Sequence, residues 1–301
     1  MNQYSRKELW KALDQLAPLQ FAGAWDNVGV LLDALPAQKV QQISDEKILL
    51  TIDLTESVFE EALAHHCTVI VCYHPIIFGG LKRLTLAHSQ TRTLLRAAQA
   101  GIAIYSPHSA LDAVRGGVCD WLAGASLLAN VSSLNTKNFA ESLHHLCTEY
   151  APIEVDQADP SQGAGRLLTL KSALSLDFIC KTLSTSLNMN LSGLQKKPYL
   201  RLATPEHYSS KVDDIKTIAL CPGAGGGLFK SIAHVDLLIT GEMSHHDVLA
   251  RIQSGTTVIL TEHSRCERGY LKHYQTLMTQ SLSIPVVLAE SDDDPIYLYR
   301  G

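Results

Sequence analysis

Short apolar runs alternate along this chain with amphipathic stretches of about ten residues, and this alternation restricts the possible folds more than any other feature. In the first part, residues 47–52, 68–72 and 102–105 are predicted strands, with predicted helices at 55–65 and 89–100 between them. The last third repeats the rhythm with predicted strands at 215–220, 235–240, 257–261 and 285–289. Strands separated by helices form βαβ units, whose sheets are mainly parallel. We therefore predict an α/β fold with two lobes, residues 1–128 and 129–301, and a cleft between them.

Composition and charge narrow the classes of function. The 301 residues are long enough for two hydrophobic cores, and 46% hydrophobic with 18% charged residues is typical of a globular protein. A formal net charge of -5 argues against nucleic-acid binding, which favours a basic surface. We expect no membrane span, because no apolar run reaches 18 residues. Seven cysteines without a C-x-x-C pair, and a start without an apolar signal core, indicate reduced thiols and a cytoplasmic location.

Histidines and a carboxylate follow three of the predicted strands. His74 comes after the strand at 68–72, Asp112 lies in the loop after 102–105, and His263 comes after 257–261. In open parallel sheets, ligands gather outside the carboxyl ends of the strands. A mixed set of imidazoles and carboxylates suits zinc, manganese, iron or magnesium. The pattern therefore predicts a divalent-metal site in the cleft, with ligands from both halves of the chain.

Each of these residues also has a structural interpretation that the sequence leaves open. His263 and Glu267 are four residues apart and would share one face of a helix. However, Ser264-x-x-Glu267 fits a capping box equally well, in which the glutamate bonds to the helix start. His74 could be a hydrogen-bonded histidine at a strand end, and Asp112 could be a turn residue.

Two further segments follow strands in the last third of the chain. Ser244 is a predicted N-cap, which places His245 and His246 in the first helical turn, where the helix dipole favours neutral imidazole. They could then bind a metal or act as a base, or simply be exposed. The glycines of 223–227 resemble an anion-binding turn, but they lack the lysine of a P-loop, and a tight strand-to-helix turn is the alternative.

Taken in order, the motifs resemble the Nif-three-like family, whose bacterial members often carry the label GTP cyclohydrolase 1 type 2. The matching stretches span nearly the whole chain: residues 25–29 (WDNVG), 73–78 (YHPIIF), 105–112 (YSPHSALD), 163–166 (GAGR), 223–225 (GAG), 240–246 (TGEMSHH) and 262–269 (EHSRCERG). The Trp25–Gly29 stretch carries Trp25 and Asn27, which could line the cleft. The Tyr73-His74-Pro75 form resembles the eukaryotic branch of the family.

The resemblance implies a two-lobed α/β fold with a two-metal site and a homo-oligomer, either a dimer or a ring-shaped hexamer. Residue by residue, it assigns metal ligation to four positions: His74, Asp112, His263 and Glu267. Many bacterial members have a histidine where this chain has Tyr73, so one imidazole is missing or replaced. His108 and His246 are the candidate substitutes and the candidate catalytic residues.

For activity, the resemblance implies a metal-dependent hydrolase acting on a nucleotide or another heterocyclic or phosphorylated small molecule. Paired metals suit ring-opening hydrolysis of guanine and phosphoester hydrolysis equally, because they stabilise both the attacking and the leaving oxygen. The competing interpretation is a non-enzymatic protein that binds or transfers metal, or a regulatory interaction partner.

Overall fold

The computed structural model describes residues 6–34, 46–128, 136–188, 199–205 and 214–296. The chain forms two compact units. The first unit is Met1–Leu111 with Tyr274–Asp293, and the second is Asp112–His273 with Asp294–Gly301. The units thus divide differently from the predicted lobes, because the chain returns to the first unit near its end. The predicted division after residue 128 adjoins residues 129–135, which lie outside the described residues.

The first unit contains a five-stranded sheet in the order β1-β4-β3-β2-β13. Four of these strands are parallel, and only β1 pairs antiparallel, with β4. The elements are α1 (Arg6–Leu16), β1 (Gly29–Leu32), β2 (Ile48–Thr51), α2 (Glu56–Ala64), β3 (Val69–Cys72), α3 (Ser89–Ala100), β4 (Ala103–Ser106) and β13 (Val286–Leu288). Strands β2, β3 and β4 are buried at every position, as continuous apolar runs predict for a covered parallel sheet.

The second unit contains a six-stranded sheet in the order β5-β8-β10-β11-β12-β9. Its elements are α5 (Val118–Leu127), α6 (Thr136–Leu146), β5 (Cys147–Ala151), β6 (Glu154–Val155), β7 (Gly163–Ala164), β8 (Arg166–Leu174), α7 (Leu176–Asn188), β9 (Arg201–Ala203), β10 (Ile215–Cys221), β11 (Leu237–Thr240), α8 (His245–Gln253), β12 (Thr257–Leu260) and α9 (Arg265–Arg268). Helix α4 (His108–Ala113) carries the chain from the first unit to the second, and α10 (Leu271–Leu282) carries it back.

The α/β fold predicted from the alternation is confirmed, and the expectation of mainly parallel sheets holds for the first sheet. The second sheet is mixed. Only β10, β11 and β12 run parallel, while β8, β5 and β9 pair antiparallel. Strands β5 and β9 expose most of their residues at the two edges of this sheet, so they lack the apolar signal of the buried strands.

Continuous helical spacing over residues 264–280 predicts a single helix there, and this prediction is wrong. The chain forms α9 and α10, with Gly269 and Tyr270 between them. A Cβ atom on Gly269 would lie 2.2 Å from the ring of Trp121, so only a glycine backbone passes this side chain. Among the described residues, no helix is both long and apolar enough to cross a membrane.

Candidate metal centre

In the second unit, three neighbouring parallel strands end in residues that contact one another. Gly223 follows β10, Glu242 follows β11 and His263 follows β12. The amide of Glu242 donates to the carbonyl of Gly223 at 2.9 Å, which ties the first two loops together. Parallel strands bring their carboxyl ends to one edge of the sheet, and this order explains why residues 40 positions apart in the chain meet there.

His263 contacts two carboxylates, one through each ring nitrogen. Its Nδ1 lies 2.9 Å from Oε1 of Glu242, and its Nε2 lies 3.7 Å from Oε1 of Glu267. A carboxylate only accepts hydrogen bonds, so Nδ1 is the donor to Glu242, and in the neutral ring Nε2 then carries the lone pair on the side of Glu267. Metal-binding histidines commonly have this arrangement, in which an outer carboxylate fixes the tautomer and the ring orientation.

The capping-box interpretation of Ser264 and Glu267 is wrong. Ser264 precedes α9 with helical backbone angles, and its side chain makes no capping hydrogen bond. Its hydroxyl instead donates to Oδ2 of Asp294 at 2.9 Å. The Glu267 side chain is only 3% exposed and lies beside His263. The spacing of four residues therefore places an imidazole and a buried carboxylate together.

The backbone at Gly223 closes one side of this pair. Gly223 has a φ of 59°, a region that favours glycine. A Cβ atom there would lie 2.7 Å from Oε1 of Glu267 and 3.1 Å from Nε2 of His263. Any larger residue would therefore fill the space in front of the two candidate ligand atoms.

Asp112, on α4, adds a third negative charge in the second unit. Burial raises the pKa of the Cys221 thiol well above its usual value, and the charges of Asp112 and Glu267 raise it further. Burial likewise raises the pKa of Cys266, with Glu267 and Asp112 contributing. Both carboxylates therefore act on the same two thiols, and the raised pKa of each thiol favours its protonated form.

The first unit repeats the pairing of a histidine with a carboxylate at neighbouring strand ends. Asp53 follows β2 and His74 follows β3, and Nδ1 of His74 lies 2.9 Å from Oδ1 of Asp53. The amide of His74 continues the strand pairing by donating to the carbonyl of Ile52. The same reasoning assigns the proton to Nδ1 and the lone pair to Nε2.

His108 shows this arrangement a third time, also in the first unit. Its Nδ1 lies 2.8 Å from Oδ1 of Asp26, whose side chain has no exposed surface. The His108 ring lies 5.5 Å from that of His74 and 5.4 Å from that of Tyr73. Tyr73 is buried and its ring contacts both imidazoles.

The segments at 244–246 and 223–227 have the simpler of the two structures predicted for each: a capped, exposed helix start and a tight turn. Ser244 caps α8 through the amide of Asp247, and His245 and His246 lie exposed in its first turn with their rings 5.4 Å apart. In the turn at 223–227, the amides of Gly223 and Gly225 donate to Sγ of Cys266 and Oγ1 of Thr240. These amides are engaged inside the protein, so the tight turn is favoured over an anion site.

The sequence analysis missed the three carboxylates that orient the histidines: Asp26, Asp53 and Glu242. Each lies in or beside a motif, but each contacts a histidine from another part of the chain. Their position directly after a strand or in a polar turn was the available signal. The order of the strands in the sheet decides which side chains contact one another, and these local signals do not give that order.

The donor set of the second unit fits a divalent metal. An imidazole nitrogen and a buried carboxylate oxygen face the same small space beside Gly223, and borderline metals take this combination of ligands. Burying a carboxylate is costly unless a positive charge or hydrogen bonds compensate, and a bound cation would supply that charge.

Comparison with known proteins agrees with the fold. The model of the Duf34/NIF3 (NGG1p interacting factor 3) family matches residues 4–295. NGG1-interacting factor 3 of Saccharomyces cerevisiae is 37% identical over 96% of this chain and 95% of its own. NIF3-like protein 1 of Drosophila melanogaster is 35% identical over 98% and 91%.

Solved structures share the fold at lower identity. Staphylococcus aureus hypothetical protein SA1388 superposes with a TM-score of 0.73 at 22% identity, covering 97% of this chain and 98% of that one. Reduced HcgD from Methanocaldococcus jannaschii has a TM-score of 0.71 at 19% identity, covering 96% and 99%. With a family match over nearly its whole length and relatives above 30% identity, this chain belongs to the Duf34/NIF3 family.

Proposed function

We propose that this protein binds divalent metal through four residues: His74, Asp112, His263 and Glu267. The observation that carries the proposal is the His263–Glu267 pair, with its Nε2 to Oε1 distance of 3.7 Å and the Gly223 backbone beside it. His74, which follows the end of β3, and Asp112, which lies on α4 and not in the predicted loop, join the set because they match the family motifs. His74 also has an orienting carboxylate, Asp53, as His263 has Glu242.

We further propose that the bound metal serves hydrolysis of a nucleotide or a related small molecule. A divalent ion supplies Lewis-acid chemistry to such a reaction. The residues of this chain would hold the ion and fix the imidazole tautomers, with His108 and His246 as candidates for moving protons. A homo-oligomer, which the family resemblance implies, belongs to the same proposal.

Metal content of the purified protein tests the first part. We expect bound zinc, manganese, iron or magnesium by mass spectrometry, and a large loss in the double variant His74→Ala/His263→Ala. His145→Ala, which removes an exposed histidine of α6, is the matched control. Ligand imidazoles must be neutral, so occupancy should also fall in acid. Unchanged metal content in the double variant would refute the ligand assignment.

Turnover of a substrate panel tests the second part. Nucleotides and phosphoesters should be assayed with each of the four metals, with metal-stripped protein as the control. Hydrolysis that depends on the metal and disappears in His263→Ala is the expected result. Metal that exchanges readily with a partner protein, with no turnover of any substrate, would favour the non-enzymatic interpretation.

A further inference from the structure

Three aromatic rings of the first unit form an open corner beside His74. The indole of Trp25 lies 6.0 Å from the His108 ring and 6.1 Å from the Phe78 ring, and Phe78 lies 6.2 Å from His108. Their planes meet at 83°, 65° and 86° respectively. The three rings therefore contact one another edge to face and do not form a parallel stack, and we call this cluster the aromatic corner.

Two of the three rings are unusually exposed. Trp25 is 67% exposed and Phe78 is 55% exposed, although large aromatic side chains normally gain more by burial than any other residues. The same loops are otherwise well fixed. The side-chain nitrogen Nδ2 of Asn27 donates to the carbonyl of Ile77 at 2.5 Å, which links the segment of Trp25 to that of Phe78. The fold therefore holds the Trp25 and Phe78 rings in exposed positions.

The third ring, His108, is held in a strained and oriented position. Its backbone has a φ of 29°, which is unfavourable for a residue with a side chain. Nδ1 of its ring donates to the fully buried carboxylate of Asp26, so the Nε2 lone pair points away from Asp26. Strain of this kind persists where the surrounding structure enforces it, often at ligand sites.

Asp26 is built to stay ionised while it holds this histidine. Burial raises its pKa, but the hydrogen bonds from His108 and from the hydroxyl and amide of Ser109 outweigh burial, so its pKa lies below the usual value. The Ser109 hydroxyl also accepts from the amide of Gly23 at 3.0 Å, close to Trp25 in the chain. One buried carboxylate thus fixes both the imidazole and the loop that carries the indole.

We propose that Trp25, Phe78 and His108 bind the planar heteroaromatic ring of a small molecule, with Nε2 of His108 accepting a hydrogen bond from it. Exposed aromatic faces stack on such rings, and the neighbouring imidazole recognises a polar edge. The His108 ring lies 5.5 Å from that of His74, so the bound ring would sit next to a proposed metal ligand. This inference rests on the proposed function in one respect: the bound molecule is a substrate only if the protein is a hydrolase.

Calorimetric titration of the full chain with guanosine, adenosine and cytidine tests the proposal, with ribose 5-phosphate as a probe that lacks the ring. Each titration is run with metal-loaded protein and again with chelator. We expect binding of at least one nucleoside in both conditions and much weaker binding of ribose 5-phosphate. If a nucleoside binds in the presence of chelator and the purified protein contains no metal, the metal proposal is refuted and the proposal of a ring-binding site is retained.

Variants of the corner then assign the binding to its residues. Trp25→Ala and Phe78→Ala should each weaken nucleoside binding by about 5- to 150-fold, the range that one lost base–aromatic stack produces. Trp25→Phe keeps an aromatic face and should keep most of the affinity. Phe178→Ala, which removes an exposed ring of α7, is the matched control and should change nothing. Thermal melting of every variant shows that it is folded.

Three results would overturn the proposal. The first is that none of the three nucleosides binds at millimolar concentration. The second is equal affinity for guanosine in the wild type, Trp25→Ala and Phe78→Ala. The third is a change in oligomeric mass on sedimentation in these variants with nucleoside affinity unchanged, which would make the exposed rings a contact between copies of the chain.

Discussion

At the scale of single residues, the position of Glu267 distinguishes a ligand from a helix-capping side chain. Glutamine has the same shape but is a poor metal ligand. We expect Glu267→Gln to lower metal affinity by about tenfold or more, while the melting temperature of the metal-free protein changes little. Competition with a fluorescent chelator measures the affinity.

Glu154→Gln, at an exposed position of β6, is the control for the loss of one negative charge. If Glu267→Gln kept the full metal affinity of the wild type, its carboxylate would not be a ligand.

Gly223 provides a second test at the same scale, because its backbone borders both candidate ligand atoms. We expect Gly223→Ala to destabilise the fold and to lower metal affinity. The added methyl group would lie 2.7 Å from Oε1 of Glu267, and the backbone φ of 59° is strained for alanine. In Gly227→Ala, the added Cβ meets nothing within 4 Å, so this variant should retain metal. Equal metal content in the two alanine variants would show that the space beside Gly223 is not used.

Contacts between candidate residues that are close in the chain can be predicted from the sequence, whereas contacts with distant partners cannot. His263 and Glu267 are four residues apart, and the contact between them follows from local geometry. Glu242 is 21 residues from His263 and reaches it only because β11 and β12 are neighbours in the sheet. Such contacts depend on strand order, and a local pattern of residue types carries no information on it.

At the scale of elements, a buried ion pair joins α5 to β8 in the second unit. Arg166 and Asp120 are fully buried and bonded to each other, and the Asp120 carboxylate also accepts from Tyr150 and the amide of Gly116. The Arg166 guanidinium further donates to the carbonyls of Gly163 and Gly165 at 2.7 Å. This network fixes the GAGR segment, which is one of the motifs of the family.

Breaking this pair should be costly. We expect Arg166→Met to reduce the free energy of unfolding by about 3–5 kcal/mol, because it leaves the Asp120 charge buried without its cation. The double variant Arg166→Met/Asp120→Asn should lose less than the sum of the single variants. Urea denaturation measures both.

Lys181→Met removes the cation of the exposed Lys181–Asp177 pair of α7 and should cost about 0.5 kcal/mol or less. Similar losses for Arg166→Met and Lys181→Met would contradict the role given to the buried pair.

Elements with a clear period or an N-cap are predicted well from sequence, and elements without them are missed. Helix α3 spans the predicted residues 89–100, and α2, which Thr55 caps, lies within the predicted residues 55–65. Helix α5 is buried on every side, so it shows no amphipathic period. Gly269, at the break between α9 and α10, packs against the ring of Trp121, which lies more than 140 residues away in the chain.

At the scale of the whole molecule, a partly buried histidine makes stability depend on pH. Burial lowers the pKa of His273, at the start of α10, to about 4. An unfolded histidine titrates near pH 6.5, so the unfolded chain binds this proton first as the pH falls. The stabilisation is complete above about pH 6.5 and is lost as the pH falls towards 4, by at most about 1.4 kcal/mol per pH unit.

We therefore expect His273→Phe to flatten the pH dependence of unfolding in this range. Carboxylates titrate in the same window, so the difference between the variant and the wild type is the quantity to compare. Urea denaturation at half-unit steps from pH 4 to pH 7 measures it. His145→Phe, at an exposed position, should keep the slope of the wild type. An unchanged slope in His273→Phe would show that His273 does not titrate as burial predicts.

The return of the chain to its first unit has a consequence for how the protein is made. Strand β13 pairs with β2, and the amide of Ile52 donates to Asp292, 240 residues later. Domains emerging from the ribosome usually fold in the order of synthesis. Here the β10–β12 region leaves the ribosome before the first sheet can acquire its edge strand. The first sheet therefore gains its edge strand only after the strands of the second sheet have been made, and until then one edge of β2 stays unpaired in the nascent chain.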